Sequence, residues 1–266
     1  LSGCNRSGDA DASASIGSTP QYDLLIRNGT VYDGSGGAPQ VADVATSADR
    51  IVAIGSAIEG KAAREIDASG LAVAPGFINV LSWANESLLE DGRAQSDLRQ
   101  GVTLEVFGEG SSMGPWNERM KADYAEDRKS PATWNTLGEY LDLLASRGIA
   151  PNVASFVGAA TVRRYVLGED DVTPDAAQLQ QMQGLVRDAM QDGALGVGSS
   201  LIYVPATFAK TDELTALAQV AGQCGGMYIT HMRSETDHIL EAVDETIQIA
   251  RDSGAAVAAR RGGGVE

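Results

Sequence analysis

Only two histidines, His231 and His238, occur in the 266-residue sequence. His231 stands in Gly226-Met227-Tyr228-Ile229-Thr230-His231-Met232-Arg233-Ser234-Glu235, where an apolar run ends in a polar cluster of His231, Arg233 and Glu235. A helical pattern follows from Ser234. An apolar strand that ends in polar residues and feeds a helix presents its chemistry at the carboxyl end of a parallel sheet. There a neutral imidazole nitrogen could bind a metal ion. The alternative is a half-buried ring satisfied by a neighbouring carboxylate. His238, one or two helical turns further on, reads as a surface residue. There is no HExxH pair and no CxxC pair, and Cys4 and Cys224 lie too far apart in context to suggest a structural disulfide.

Ser199-Ser200-Leu201-Ile202-Tyr203 closes another apolar run. Ser200 and Tyr203 either touch polar groups of a substrate or satisfy the backbone of their own loop. Asn85-Glu86 is a weaker candidate of the same kind, after the first strand of the series.

These residues need elements to hold them. Strands are expected at Phe77 to Leu81, Val102 to Phe107, Asn152 to Val157, Leu195 to Ser199, Met227 to His231 and Ala255 to Ala258. Helices are expected between them. Thr133 to Ser146 carries Leu137, Leu141 and Leu144 on one face. A second helix starts at Thr173-Pro174, with Thr as N-cap and Pro in the first turn, and ends near Gly193. Thr211 to Gln223 opens on Asp212-Glu213, acids suited to a helix N-terminus. Ser234 to Asp252 aligns Ile239, Val243 and Ile247, with Asp237 at the capping-box position. Alternating strands and helices predict a parallel sheet with right-handed crossovers. Eight such units need about 240 residues, and roughly 190 follow Pro75. No GxGxxG loop follows the first strand, which argues against a nucleotide-binding open sheet.

The fold class is therefore α/β, an incomplete (β/α) barrel of about six of eight strands with an N-terminal partial β-sandwich. The sandwich, residues 22–74, has short strands at Asp23 to Arg27, Thr30 to Tyr32, Val41 to Ala45, Ile51 to Ile54 and Arg64 to Ile66. Turns are expected at Asn28-Gly29 and at residues 33–37. The barrel portion covers residues 75–259. Residues 260–266 carry no strand or helix pattern, as in a disordered end or a chain cut partway through a domain. Residues 1–21 begin Leu1-Ser2-Gly3-Cys4, which resembles the lipobox of bacterial lipoproteins, and continue as a Ser/Ala/Gly/Asp tether. The expectation is an exported protein, periplasmic or on the outer surface, lipid-anchored at Cys4.

Composition narrows the function. Acidic residues number 36 against 20 basic, a net charge of -16, which disfavours nucleic acid and anionic lipid surfaces. No stretch approaches the roughly 20 apolar residues that span a bilayer, so membrane contact is expected only through the lipid.

Tyr22-Asp23-Leu24-Leu25-Ile26-Arg27-Asn28-Gly29, Val73-Ala74-Pro75-Gly76-Phe77-Ile78, Gly101-Val102-Thr103, Gly193-Ala194-Leu195-Gly196-Val197, Leu201-Ile202-Tyr203 and Thr230-His231-Met232-Arg233 are specific in combination. In this order they resemble the N-acyl-D-amino-acid deacylases (D-aminoacylases) of the amidohydrolase superfamily, from about Tyr22 to Val257. The resemblance implies a metal-dependent (β/α) barrel of eight strands beside a β-sandwich built from both chain ends. It also implies zinc-dependent hydrolysis of the amide of a small N-acyl-D-amino acid. In that family zinc polarises the acyl carbonyl and lowers the pKa of a bound water to about 7. An aspartate after the last barrel strand serves as general base and then acid.

By the same resemblance His231 is the metal ligand of the fifth strand. Gly108-Glu109-Gly110 stands where the family has Gly-Asn-Cys-Gly with a ligand Cys. Glu109 aligns with that Cys if one residue is deleted, and with the Asn if not. It is either a carboxylate ligand or a solvated loop acid. Leu81-Ser82-Trp83 replaces the family's His-x-His pair. Ala159-Ala160 lies where relatives often have a His, and Ala258-Ala259-Arg260-Arg261 lacks the sixth-strand His. The general-base aspartate has no counterpart, so no catalytic residue is assigned. Two functions compete. One is the N-terminal part of a zinc-dependent deacylase, inactive alone. The other is a non-catalytic, barrel-derived binding or scaffold protein whose sheet edges pair with another chain.

Overall fold

The computed structural model describes residues 21–128 and 131–260. Cys4, the tether that follows it and the tail from residue 261 lie outside the described residues. The chain divides into two compact units between Pro75 and Gly76.

The first unit is one mixed sheet. Its strands are β1 (Tyr22–Val31), β2 (Gln40–Ser47), β3 (Arg50–Gly55), β4 (Ala62–Asp67) and β5 (Ala72–Val73). The order is β3-β2-β1-β4, with β5 beside the far end of β1. The turn expected at Asn28-Gly29 is instead a bulge inside β1. A hairpin would need the segments either side to pair with each other, and both pair with β2. Asn28 takes φ of 60° as the register shifts. Asp43 of β2, 4% exposed, fixes the bulge. It accepts the Asn28 N–H at 2.9 Å and the Ile58 N–H at 3.0 Å, and pairs with Arg27 at 3.2 Å. The Asn28 N–H, more than the Ile58 N–H and Arg27, holds the Asp43 carboxyl below its ordinary range against the cost of burial.

The second unit is a run of parallel strands with helices between them. The strands are β6 (Phe77–Asn79), β7 (Val102–Phe107), β8 (Asn152–Ser155), β9 (Val157–Gly158), β10 (Gly196–Ser200), β11 (Met227–His231) and β12 (Ala256–Arg260). β6-β7-β8 form one ladder and β9-β10-β11-β12 another. β8 and β9 are two pieces of one strand interrupted at Phe156, and the Leu195 N–H donates to Ser155 O at 2.9 Å across the join. The six strands expected from sequence are thus present in order. Among the described residues β6 and β12 each pair on one side only, so the run does not close. β12 includes Arg260, one residue into the segment expected to lack a strand.

The helices are α1 (Ser87–Glu90), α2 (Gln95–Leu98), α3 (Glu118–Arg128), α4 (Leu137–Arg147), α5 (Ala159–Leu167), α6 (Ala176–Gln191), α7 (Thr211–Gln223) and α8 (Ile239–Ser253). α4 starts at a Thr136/Glu139 capping box and buries Leu137, Tyr140 and Leu144. α6 starts later than expected, because Asp175 and Gln178 form the capping box and Thr173-Pro174 precedes it. α8 also starts late. The Ser234 hydroxyl accepts N–H groups of Thr236 and His238 in a turn, which leaves exposed His238 at the N-cap. The α8 face turned inward is Ala242, Thr246, Ile249 and Ser253, not the expected stripe, and Ile247 is exposed. Between sheet and helices lies a core including Val157, Val162, Met182, Val197, Leu214, Leu217 and Tyr228. Burying one such aliphatic side chain contributes about 1.5–3 kcal/mol.

Candidate functional site

The carboxyl ends of β7, β10 and β11 meet at a mouth. His231 ends β11 and is paired in register with Ser200, which ends β10. Glu109 follows β7 between two glycines that let it approach. A Cβ on Gly108 (φ 97°) would fall 2.1 Å from Phe156 O. One on Gly110 (φ 83°) would fall 2.6 Å from the Ser200 Cβ. Both positions need a residue without a side chain. The result is a small cavity of about 400 Å³ lined by Glu109, Ser200, Tyr203 and Trp83.

Glu109 is 5% exposed, not a solvated loop acid, and its Oε2 stands 4.0 Å from His231 Nδ1. Glu235 brings its Oε1 to 2.7 Å from His231 Nε2. The approach is at ion-pair distance, yet it lies off the hydrogen-bond direction, and Nε2 makes no hydrogen bond. The Tyr203 ring stands edge-on to His231, centroids 5.8 Å apart. The Ser200 hydroxyl is buried without a hydrogen-bond partner. A buried polar group left open is costly and marks a place where something else can bind.

The loop under this mouth is held by Arg233. Its guanidinium binds both oxygens of Glu245, at 2.9 Å each, and donates to Thr207 O at 2.9 Å and Ala209 O at 2.8 Å. One side chain thereby ties the β11 end, α8 and the loop that carries Tyr203. Sequence reasoning noticed Arg233 and Glu235 beside His231 without giving them tasks. The spacing of four from His231 to Glu235 was the available signal, obscured by the expectation of a helix from Ser234.

Asn85 and Glu86 do not reach the mouth. They line a neighbouring cleft of about 610 Å³, where Glu86 pairs with Arg128. Beneath β6, Ser82 donates to fully buried Glu105 at 2.5 Å. Leu81 and Trp83 flank it, and neither can ligate a metal.

Parallel β/α units with a His and carboxylates at the strand ends make up an α/β fold. No protein-family model matches the chain. The chain is 34% identical over 235 residues to the D-aminoacylase of Alcaligenes xylosoxydans xylosoxydans, which covers 87% of this chain and 48% of that protein. The solved D-aminoacylase that defined a novel subset of amidohydrolases superposes with a TM-score of 0.79 at 33% identity, covering 90% of this chain and 51% of that one. The N-acyl-D-glutamate deacylase of Bordetella bronchiseptica, solved with zinc and a phosphonate mimic of the tetrahedral intermediate, superposes with a TM-score of 0.79 at 32% identity, covering 89% of this chain and 50% of that one. The chain is similar to N-acyl-D-amino-acid deacylases over 87% of its own length and spans about half the length of these relatives.

A catalytic zinc takes three protein ligands. Among the described residues no group of three or more His, Cys, Asp or Glu is placed to hold an ion.

Proposed function

We propose that this chain supplies the His231 wall of an amide-hydrolysing site that acts on N-acyl-D-amino acids, and that it is inactive without the remaining wall. The observation that carries the reading is the convergence of buried Glu109, open Ser200 and His231 at one mouth. His231 and Glu109 are the donors offered to zinc. Ser200 Oγ donates to a substrate oxygen, and its burial makes that bond stronger than one at the surface. The edge of Tyr203 covers His231 and limits water. Titration of the purified chain with N-acetyl-D- and N-acetyl-L-amino acids tests this. The D series should bind, Ser200→Ala should weaken it, and turnover should be negligible. Equal binding of both enantiomers would sink the reading.

The same proposal places the protein outside the cytoplasm, anchored through a lipid on Cys4, on the strength of Leu1-Ser2-Gly3-Cys4 and the polar tract behind it. Radiolabelled palmitate should enter the protein in a bacterial host and be lost in Cys4→Ser. Equal labelling of the two would refute it.

A further inference from the structure

We infer that the cleft beside the mouth is an acyl-group pocket, selecting a bulky uncharged acyl chain, aromatic above all, over an acetyl or an anionic one. The inference rests on the mouth being the site where the amide lies.

Continuity comes first. Trp83 and Ser111 line both the mouth and the cleft, so the two spaces adjoin and a chain leaving the amide at Glu109 has the larger one beside it. Its volume of about 610 Å³ far exceeds a methyl group and matches pockets that enclose whole small molecules.

The walls come second. Trp83, Trp116, Tyr124, Met113 and Met120 line the cleft. Trp116 packs on Tyr124 at 5.0 Å and on Trp134 at 5.4 Å between ring centroids, and Trp134 packs in turn on Tyr140 at 5.5 Å. Two indole N–H groups are spent on the backbone: Trp116 donates to Ser112 O at 3.1 Å and Trp134 to Met113 O at 2.6 Å. The Trp116 side of the wall is therefore braced from behind, with its indole N–H already satisfied. Such a surface takes a flat ring in offset or edge-on contact.

Charge decides which end of the substrate enters. Both arginines in the lining are closed on carboxylates, Arg128 on Glu86 and Arg164 on Glu169. Asp123 and Asp127 add further acids at the rim. The α-carboxylate of an amino acid would meet net negative charge here and is repelled. An acyl chain without charge meets no such penalty, so the amino-acid half lies on the other side of the amide.

The test uses intrinsic fluorescence, because two of the three tryptophans line the cleft and the third stacks on Trp116. The chain is titrated with N-acetyl-, N-phenylacetyl- and N-succinyl-D-alanine, and with phenylacetamide, which carries the aryl acyl group without an amino acid. The phenylacetyl compound should quench the emission and bind about tenfold or more tighter than the acetyl one, the scale of burying one ring. The succinyl compound should gain nothing. Trp116→Leu should erase the preference, as should Ser111→Phe, which blocks the passage from an exposed position where folding is not at stake. Equal affinity for the acetyl and phenylacetyl compounds overturns the acyl assignment. Binding of phenylacetamide with no binding of any N-acyl-D-alanine overturns the mouth as the amide site, and the acyl assignment with it, leaving an aryl-binding cleft alone.

Discussion

Arg233 and His231 stand two residues apart at the end of β11 and are treated in opposite ways. Arg233 makes four hydrogen bonds of 2.8–2.9 Å to one carboxylate and two carbonyls. His231 has carboxylates 4.0 and 2.7 Å away, and its Nε2 makes no hydrogen bond. A satisfied polar network fixes structure. A ring at ion-pair distance from two carboxylates, whose Nε2 makes no hydrogen bond, is a place where a ligand can compete. On the proposed reading the clamp belongs to the scaffold and the mouth to function.

That contrast can be broken by mutation. The largest effect is expected at the other buried clamp, Arg163–Glu213, whose side chains are 1% and 3% exposed. Arg163→Met leaves Glu213 buried and unpaired and should cost about 3–5 kcal/mol in urea denaturation. Arg233→Met should cost about 2 kcal/mol, less because this side chain is partly exposed and screened. His231→Gln should shift stability by less than about 1 kcal/mol, while removing what zinc affinity the chain has. A His231→Gln chain less stable than Arg233→Met would reverse the assignment of scaffold and site.

Glu105 sharpens the contrast. It is fully buried, Oε1 has no hydrogen-bond partner, and Ser82 donates to Oε2. Burial pushes its carboxyl above the ordinary range; Ser82 opposes the shift and Asp97 adds to it. The unfolded chain releases this proton near pH 4.3, at about the reference value, while the folded chain keeps it. This contribution to stability is therefore full below that pH and falls away as pH rises to the folded value. Glu105→Gln should remove that decline, read as the difference between the two proteins' stability curves from acid to neutral pH. Identical slopes would contradict it. The smallest loss is expected at Ser200→Ala, which should leave stability unchanged or raise it by about 1 kcal/mol, because the hydroxyl has no partner to lose and its burial cost is relieved.

Much of the scaffold was legible in the sequence. The six parallel strands are short apolar runs with Gly or polar punctuation, and each appears in order. α7 lies at its expected residues because Asp212-Glu213 and the apolar face agree. α3 was missed because it buries only Met120 and has no stripe to see. α5 was missed because it begins directly after β9 and buries residues of every type, Arg163 included. Two good caps competed before α6, and the one with a capping-box partner won. Asn28-Gly29 has the composition of a hairpin turn, and only the pairing with β2 shows it to be a bulge. In the site, His231, Glu109, Ser200 and Tyr203 were named from sequence and do converge. The Arg233 clamp was invisible, since its carbonyl partners lie 24 and 26 residues back and Glu245 12 residues on. Trp83 stands in the sequence only as a lost ligand, because nothing in its spacing reveals that it lines two adjoining cavities.

Zinc content of the purified chain, measured by elemental analysis after exhaustive dialysis, tests the partial site most directly. The account predicts well below about one zinc per chain, since no three donors are placed together among the described residues, and still less in His231→Gln. A full equivalent of zinc retained by the 266-residue chain, with hydrolysis of N-acetyl-D-amino acids, would contradict it.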